Sequence, residues 1–333
     1  MGWMCSAGRF MVTLALGAGL AGCGIPSFLV TPVQNASSLE EKRVEKGQGL
    51  HLLPDKVVVI GVEGTLANTA AGGLLTPTEN PVSRFVQELD KAAADDRVKA
   101  VVLRVNSPGG TVSASDAMYQ ILKRFRDKTH KPVVASGQEI VASGAYYICC
   151  GADKIVAQPT TLVGSIGVIF ETVNLEGTLG KLGVTTEAYR SAVHKDIGSP
   201  FRATTDDERQ IFQDMVNEYF ARFKSVVTDN RPIPPSANFT QLTDGRVFSG
   251  ADAAKVGLVD RVGLLDDAIA LAKELAHAKD AEVVMYRRPY GYGGSIYAAA
   301  DAPLPRAEGQ ALTLQLPQSA TILPAGFYYL WQP

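Results

Sequence analysis

From residue 56 onward the chain alternates between two hydrophobic rhythms. Lys56–Val62 is a β-branched run with no polar interruption, suited to a strand buried on both faces. Asn80-Pro81 then supplies a helix cap and a first-turn proline, after which Val82, Phe85, Val86, Leu89, Ala92 and Ala93 recur at helical spacing. The cycle repeats with strand Ala100–Val105, a helix carrying Ala114, Met118, Leu122 and Phe125, strand Pro132–Ala135, a short helix from Ser143, and strand Lys154–Ala157. Doubly apolar strands alternating with helices predict an α/β fold, a mostly parallel sheet with flanking helices, whose ligands sit at the carboxyl ends of strands. Thr205-Asp206-Asp207-Glu208 is a capping box opening a long helix through about Val227, with Ile211, Met215, Tyr219, Phe220 and Phe223 as its buried stripe. That helix is expected to be scaffold. Arg231-Pro232-Ile233-Pro234-Pro235 breaks the chain, Leu264–His277 makes a last helix, and residues 281–333 read as a Gly- and Pro-punctuated tail with no second core.

Composition narrows the picture. Apolar residues at 46% suffice for a large core, and a net charge of −2 gives no basic surface, so nucleic acid is not an expected partner. Cys5, Cys23, Cys149 and Cys150 have neither the spacing of a disulfide framework nor that of a zinc site, and the four histidines are scattered. No metal or organic cofactor is expected.

The amino terminus reads as an address. An apolar run from residue 10 to residue 22 follows Arg9, shorter than the roughly 20 residues a membrane span requires, which favours a secretory signal. Leu20-Ala21-Gly22-Cys23 resembles the lipobox of bacterial lipoproteins. The resemblance implies removal of residues 1–22 and lipidation of Cys23, with an ordinary signal peptide or a short uncleaved anchor as the other readings. Residues 23–54 then form a tether, and a domain at 55–280 faces the periplasm or cell exterior, held to the membrane by the lipid.

Three segments carry candidate chemistry. Asn106-Ser107-Pro108-Gly109-Gly110 ends a strand, where glycines let backbone N–H groups turn into a cleft, as an oxyanion hole requires; a structural strand-to-helix turn has the same sequence. Val141–Tyr147 sets Ser143 among small residues at a helix start, as an N-cap or as a nucleophile with the Gly144 N–H beside it. Lys195 lies in a polar stretch and reads by default as a surface charge; an amine that acts as a base at neutral pH has to be desolvated.

Together these segments resemble the S49 family of signal peptide peptidases, whose single catalytic domain is related to the Clp protease and crotonase fold. The resemblance spans about residues 55–280. Leu103–Gly110 matches the family's Leu-x-Val-Asn-Ser-Pro-Gly-Gly, Ala142–Tyr147 its nucleophile segment, Gly164–Val168 its glycine turn and Arg190–Arg202 its lysine segment, with Gly245–Phe248 and Gly257–Asp260 as downstream landmarks. It implies Ser143 as nucleophile, Lys195 as general base, the Gly110 and Gly144 N–H groups as oxyanion donors, and short or unfolded peptides such as signal-peptide remnants as substrates. It also implies a homo-oligomeric ring in which Lys195 acts on Ser143 of a neighbour. Ser191 either orients the lysine amine or packs the loop. Ala192 stands where the family has glycine, and Cys149-Cys150 where small apolar residues are usual. Two other readings use the same residues: a crotonase-type acyl-CoA enzyme and a non-catalytic lipoprotein scaffold. The end of the tail, Gly326–Trp331, docks in an apolar groove, is self-cleaved, or is a disordered end.

Overall fold

A computed structural model describes residues 39–47, 53–69, 79–288 and 326–332. In chain order the elements are β1 (Glu40–Glu45), β2 (Lys56–Glu63), α1 (Pro81–Ala94), β3 (Val98–Ser107), β4 (Gly109–Thr111), α2 (Val112–Thr129), β5 (Val133–Ala142) and α3 (Gly144–Cys149). There follow β6 (Lys154–Ala157), β7 (Leu162–Gly164), β8 (Ile169–Glu171), α4 (Glu176–Lys181), α5 (Asp206–Asn230) and α6 (Phe239–Leu242). The last are β9 (Val247–Ser249), α7 (Gly250–Lys255), β10 (Arg261–Val262), α8 (Leu265–Leu275), β11 (Glu282–Arg287) and β12 (Gly326–Leu330).

The main sheet runs β1-β11-β2-β3-β5-β6-β10, parallel from β11 to β10, with β1 antiparallel at one edge and the short pair β7 and β9 joined to the far end of β5. Strand alternation splits its valines between two cores. Val58, Ile60, Val101 and Leu103 face α1, α2 and α3, while Val57, Val59, Ala100 and Val102 face the small side chains of α8, Ala268 and Ala272. Each buried valine or leucine contributes about 1.5–3 kcal/mol relative to exposure.

Two ends of the chain depart from the sequence reading. Within the segment expected as tether, Glu40–Glu45 pairs with β11 as an edge strand, clipped down by the buried Lys56, whose amine donates to Glu41 (2.8 Å) and Asp95 (2.9 Å). Within the expected tail, β11 sits in the sheet between β1 and β2, and β12 is the middle strand of a second sheet, β4-β12-β8, antiparallel to both neighbours. The folded unit thus reaches past both 55 and 280.

A register shift prepares the site. Val105 pairs with Gly137 but Ser107 pairs with Val141, so β5 carries two extra residues there, and the Asn106 side chain accepts the Ile140 N–H at 3.1 Å to close the bulge.

Candidate active site

The carboxyl ends of β3 and β5 lie side by side and deliver two turns. At the end of β5, Ser143 is held at φ 53°, a region that L-residues avoid at a cost of about 1–3 kcal/mol. Its N–H donates to the Gly164 carbonyl (2.7 Å) and its carbonyl accepts the Tyr147 N–H (2.9 Å), so the strain is imposed from both sides. The residue is 1% exposed, and its side chain does not cap α3. The N-cap function suggested by its position is absent.

At the end of β3, the Ser107 hydroxyl donates to the Gly64 carbonyl (2.6 Å) and accepts the Gly109 N–H (3.1 Å), pinning the turn. Leu66 straddles the next peptide: its N–H donates to the Gly109 carbonyl and its carbonyl accepts the Thr111 N–H, both at 2.8 Å. A Cβ on Gly110 would land on the Leu66 backbone; one on Gly109 (φ 100°) would come 2.7 Å from the Gly144 nitrogen. At Gly144 a Cβ would strike the Ser115 hydroxyl. The three glycines let two backbone segments close on each other beside Ser143.

Strand β12 lies across this junction. The Trp331 N–H donates to the Pro108 carbonyl at 2.8 Å, and Tyr329 pairs with Gly110. Hydrogen-bonded and open pairs alternate along an antiparallel ladder, so the Gly110 N–H faces the Tyr329 carbonyl. A Cβ on Gly144 would lie 3.0 Å from that same oxygen. An extended peptide thus crosses the Ser143 turn with one carbonyl against Gly110 and Gly144.

Lys195 is placed quite differently. Beyond β8, residues 172–202 leave the body as an arm on which α4 buries no residue and Lys195 and Ser191 are both exposed. Among the described residues no hydrogen bond or ion pair joins Lys195 to Ser191 or to Ser143. The arm holds its form through charge: Arg190 and Arg202 both donate to Asp196 (2.9 and 2.8 Å), Arg202 also pairs with Glu208, and His194 lies 3.2 Å from Asp207. Hydrogen bonding by Arg202 holds the Asp196 and Glu208 carboxyls below their ordinary range, Glu208 at about 2. Eight of the twelve exposed large apolar side chains among the described residues lie between Ile169 and Phe201, among them Leu182 (72% exposed), Tyr189 (94%) and Val193 (77%).

The sequence reading missed an aromatic box. Tyr147, Tyr219 and Phe223 surround Tyr329, which places the stripe of α5 on the cleft rather than purely in the scaffold. The signal was present in Ser143-Gly144-Ala145-Tyr146-Tyr147 and in the aromatic spacing of α5. Cys149 and Cys150 are buried free thiols pushed up by desolvation, Cys150 to about 12, and are unreactive in this state. Cys23 lies outside the described residues. Among the described residues no helix is long and apolar enough to cross a membrane, and no group of three or more His, Cys, Asp and Glu is arranged to hold a metal.

The chain matches the model of peptidase family S49 over residues 125–279 and that of Clp protease over residues 74–163. It is 39% identical over 215 residues to a Methanocaldococcus jannaschii protein named as a protease, covering 64% of this chain and 68% of that one. It is 34% identical over 252 residues to an Enterococcus faecium protein named as the signal peptide peptidase SppA, covering 76% and 72%. A solved chain of the membrane-bound stomatin-specific protease 1510-N overlaps 67% of this chain and 86% of its own, at 16% identity and a TM-score of 0.42. With a Clp protease-like fold and these relatives, the chain belongs to peptidase family S49 and is an SppA-like serine peptidase.

Proposed function

We propose that this protein is a membrane-tethered endopeptidase that hydrolyses short or unfolded peptides, such as signal-peptide remnants, with Ser143 as nucleophile and Lys195 as general base. The observation that carries it is the strained, buried Ser143 beside a glycine turn against which a peptide carbonyl already lies. A cleft entered by adding a strand accepts only chain that is free to extend, which supports unfolded substrates.

In the cycle, Lys195 takes the Ser143 proton as Oγ attacks the substrate carbonyl carbon, and the oxyanion is held by the Gly110 and Gly144 N–H groups. The lysinium then gives its proton to the leaving amine as the C–N bond breaks, and water resolves the acyl-enzyme by the reverse proton path. The exposed arm supports a base supplied in trans: packing its apolar residues against a second copy would desolvate Lys195 next to that copy's Ser143. Such packing, repeated head to tail, builds a ring. A diacylglycerol on Cys23 would hold the assembly at the membrane on the outer side.

The test is cleavage of an unfolded, signal-like peptide by the purified full chain. Ser143→Ala and Lys195→Ala should each lose on the order of 10^4-fold or more in kcat/KM. A variant that cleaves like the parent removes its residue from the mechanism. Mass spectrometry of the membrane-extracted protein reads the lipid on Cys23; an unmodified Met1 terminus excludes it.

A further inference from the structure

Lys195 lies on an arm with almost no core, yet both of its chain neighbours are anchored to one place. Asp196 is gripped by two arginines: Arg202 donates through Nε (2.9 Å) and Nη2 (2.8 Å), and Arg190 through Nη1 (2.9 Å). The other edge of the Arg202 guanidinium reaches Glu208, donating to Oε2 at 2.9 Å and pairing with Oε1. Glu208 is 2% exposed and belongs to the α5 capping box, where its carboxylate also accepts the Thr205 N–H at 3.0 Å. On the other side of the lysine, His194 meets Asp207 of that same first turn at 3.2 Å. Three residues beyond Lys195 the loop lies over Phe212 of α5, where a Cβ on Gly198 would come 3.4 Å from the ring. Among the described residues the Lys195 side chain itself makes no hydrogen bond or ion pair, and it is exposed. The helix that anchors its neighbours has 25 residues, roughly 37 Å of length, and its far end is locked into the body. There Phe223 is fully buried against Tyr147 (centroids 5.0 Å), and Arg222 donates to Asp116 at 2.7 Å. The first turn of α5 is therefore a fixed point, and Arg202 joins it to the residue next to the lysine through two charge-assisted forks.

We propose that Arg202 and Glu208 are positioning residues for the general base: they hold Asp196, and with it Lys195, at a set place and with a set neighbouring charge on the first turn of α5. The proposal rests on the reading of Lys195 as base and deepens it. Place matters because a displacement of about 1 Å in a reacting group costs on the order of 100-fold in rate. Charge matters because a carboxylate beside an amine favours the protonated amine, which cannot take the Ser143 proton. Two guanidiniums on Asp196 offset that effect, so the lysine has a carboxylate next to it in sequence without its full field. Arg202 holds both carboxyls below their ordinary range, so the network stays charged at neutral pH.

The experiment measures kcat and KM against pH for an unfolded, signal-like peptide and the full chain. Arg202→Met should lower kcat about 100-fold and leave KM within about twofold, because the peptide cleft is untouched. The acid limb of its profile should move up by about half a pH unit, since Asp196 loses one of its two cations. Arg202→Lys restores the charge and so the parental limb, but one ammonium cannot fork onto both carboxylates, and kcat should stay about 10-fold low. Asp196→Asn should move the limb the other way, to lower pH, because both guanidiniums then act on the amine uncompensated. Glu208→Gln keeps an oxygen for the Thr205 N–H while weakening one fork, and should cost about 3- to 10-fold in kcat. Arg209→Ala, which removes only an exposed pair with Asp206, should match the parent. Sedimentation and chemical denaturation of each variant separate lost assembly from lost positioning. Should Arg202→Met fail to assemble, Asp196→Asn and Glu208→Gln decide, and a parental profile in both overturns the proposal. With Lys195→Ala inactive, a parental kcat in Arg202→Met, or limbs that do not move in opposite directions, overturns the positioning and leaves the base assignment standing. A Lys195→Ala chain that cleaves like the parent defeats the base reading itself.

Discussion

Ser143 and Lys195 occupy opposite kinds of surroundings. The serine is buried where two strand ends meet, forced to a positive φ by hydrogen bonds to Gly164 and Tyr147, and crowded by glycines that tolerate no Cβ. The lysine lies on an arm with almost no core, shaped by ion pairs gathered on Asp196 and lined with apolar side chains that face solvent. The setting of Ser143 is over-determined by the chain itself. Lys195 has its local shape fixed but lacks the dry surroundings that the proposed role as base requires, and under that proposal a second copy of the arm's apolar face is the simplest source of them.

The largest expected effect comes from mixing. Chains with Ser143→Ala and chains with Lys195→Ala, each inactive alone, should regain roughly a quarter of parental activity when co-assembled at random, because a head-to-tail contact pairs the intact serine of one with the intact lysine of the other. No recovery, with assembly intact by sedimentation, would put both groups on one chain and end the contrast. Next in size are paired substitutions that probe rigidity. Gly110→Ala drives a Cβ into the Leu66 backbone and should cost about 3 kcal/mol or more in chemical denaturation, with activity lost. On the arm, Val193→Glu should move stability by no more than about 0.5 kcal/mol, yet shift sedimentation to smaller species and lower activity. A stability loss as large as that of Gly110→Ala would show that the arm is core after all.

The smallest effect is in acid. Asp196 and Glu208 have folded pKa values held below the unfolded ones by Arg202, so the unfolded arm binds more protons and their stabilisation is complete above the unfolded values. For Glu208 it fades from about pH 4.5 and is gone below about 2. Hydrogen exchange across residues 186–204 should therefore accelerate through that window before exchange in β2 and β3 does, and Glu208→Gln should flatten the dependence. A parental arm whose exchange relative to the core is unchanged through the window would rule out the ion-pair account.

Where strands are apolar on both faces, the sequence spoke plainly. Lys56–Val62 and Ala100–Val105 became Lys56–Glu63 and Val98–Ser107, because a fully buried parallel strand leaves few polar positions to blur its ends. β1 was illegible for the opposite reason: Glu40-Glu41-Lys42-Arg43 lies at an edge beside solvent and owes its place to the buried Lys56. β11, with Val283-Val284-Met285-Tyr286, could have been read and was absorbed into the tail. β12 could not, since its partners Gly109–Thr111 and Ile169–Glu171 are far away in sequence. In the site, the glycine turn and the strand-to-helix position of Ser143 were visible, whereas its positive φ is imposed by Gly164 across space. Lys195 was reachable only through family resemblance, because every local property of Arg190–Arg202 is that of a surface loop.

The offset at Asn106 carries a consequence for how this site can vary. Between Val105 and Ser107 the partner strand spends four steps, Gly137 to Val141, where β3 spends two. An even surplus keeps odd and even positions on their original sides, so Ser143 keeps its side of the sheet after a delay of roughly 7 Å of chain. Insertions and deletions in residues 138–140 are thus quantised: two residues shift the delay, whereas one turns Ser143 to the far side of the sheet.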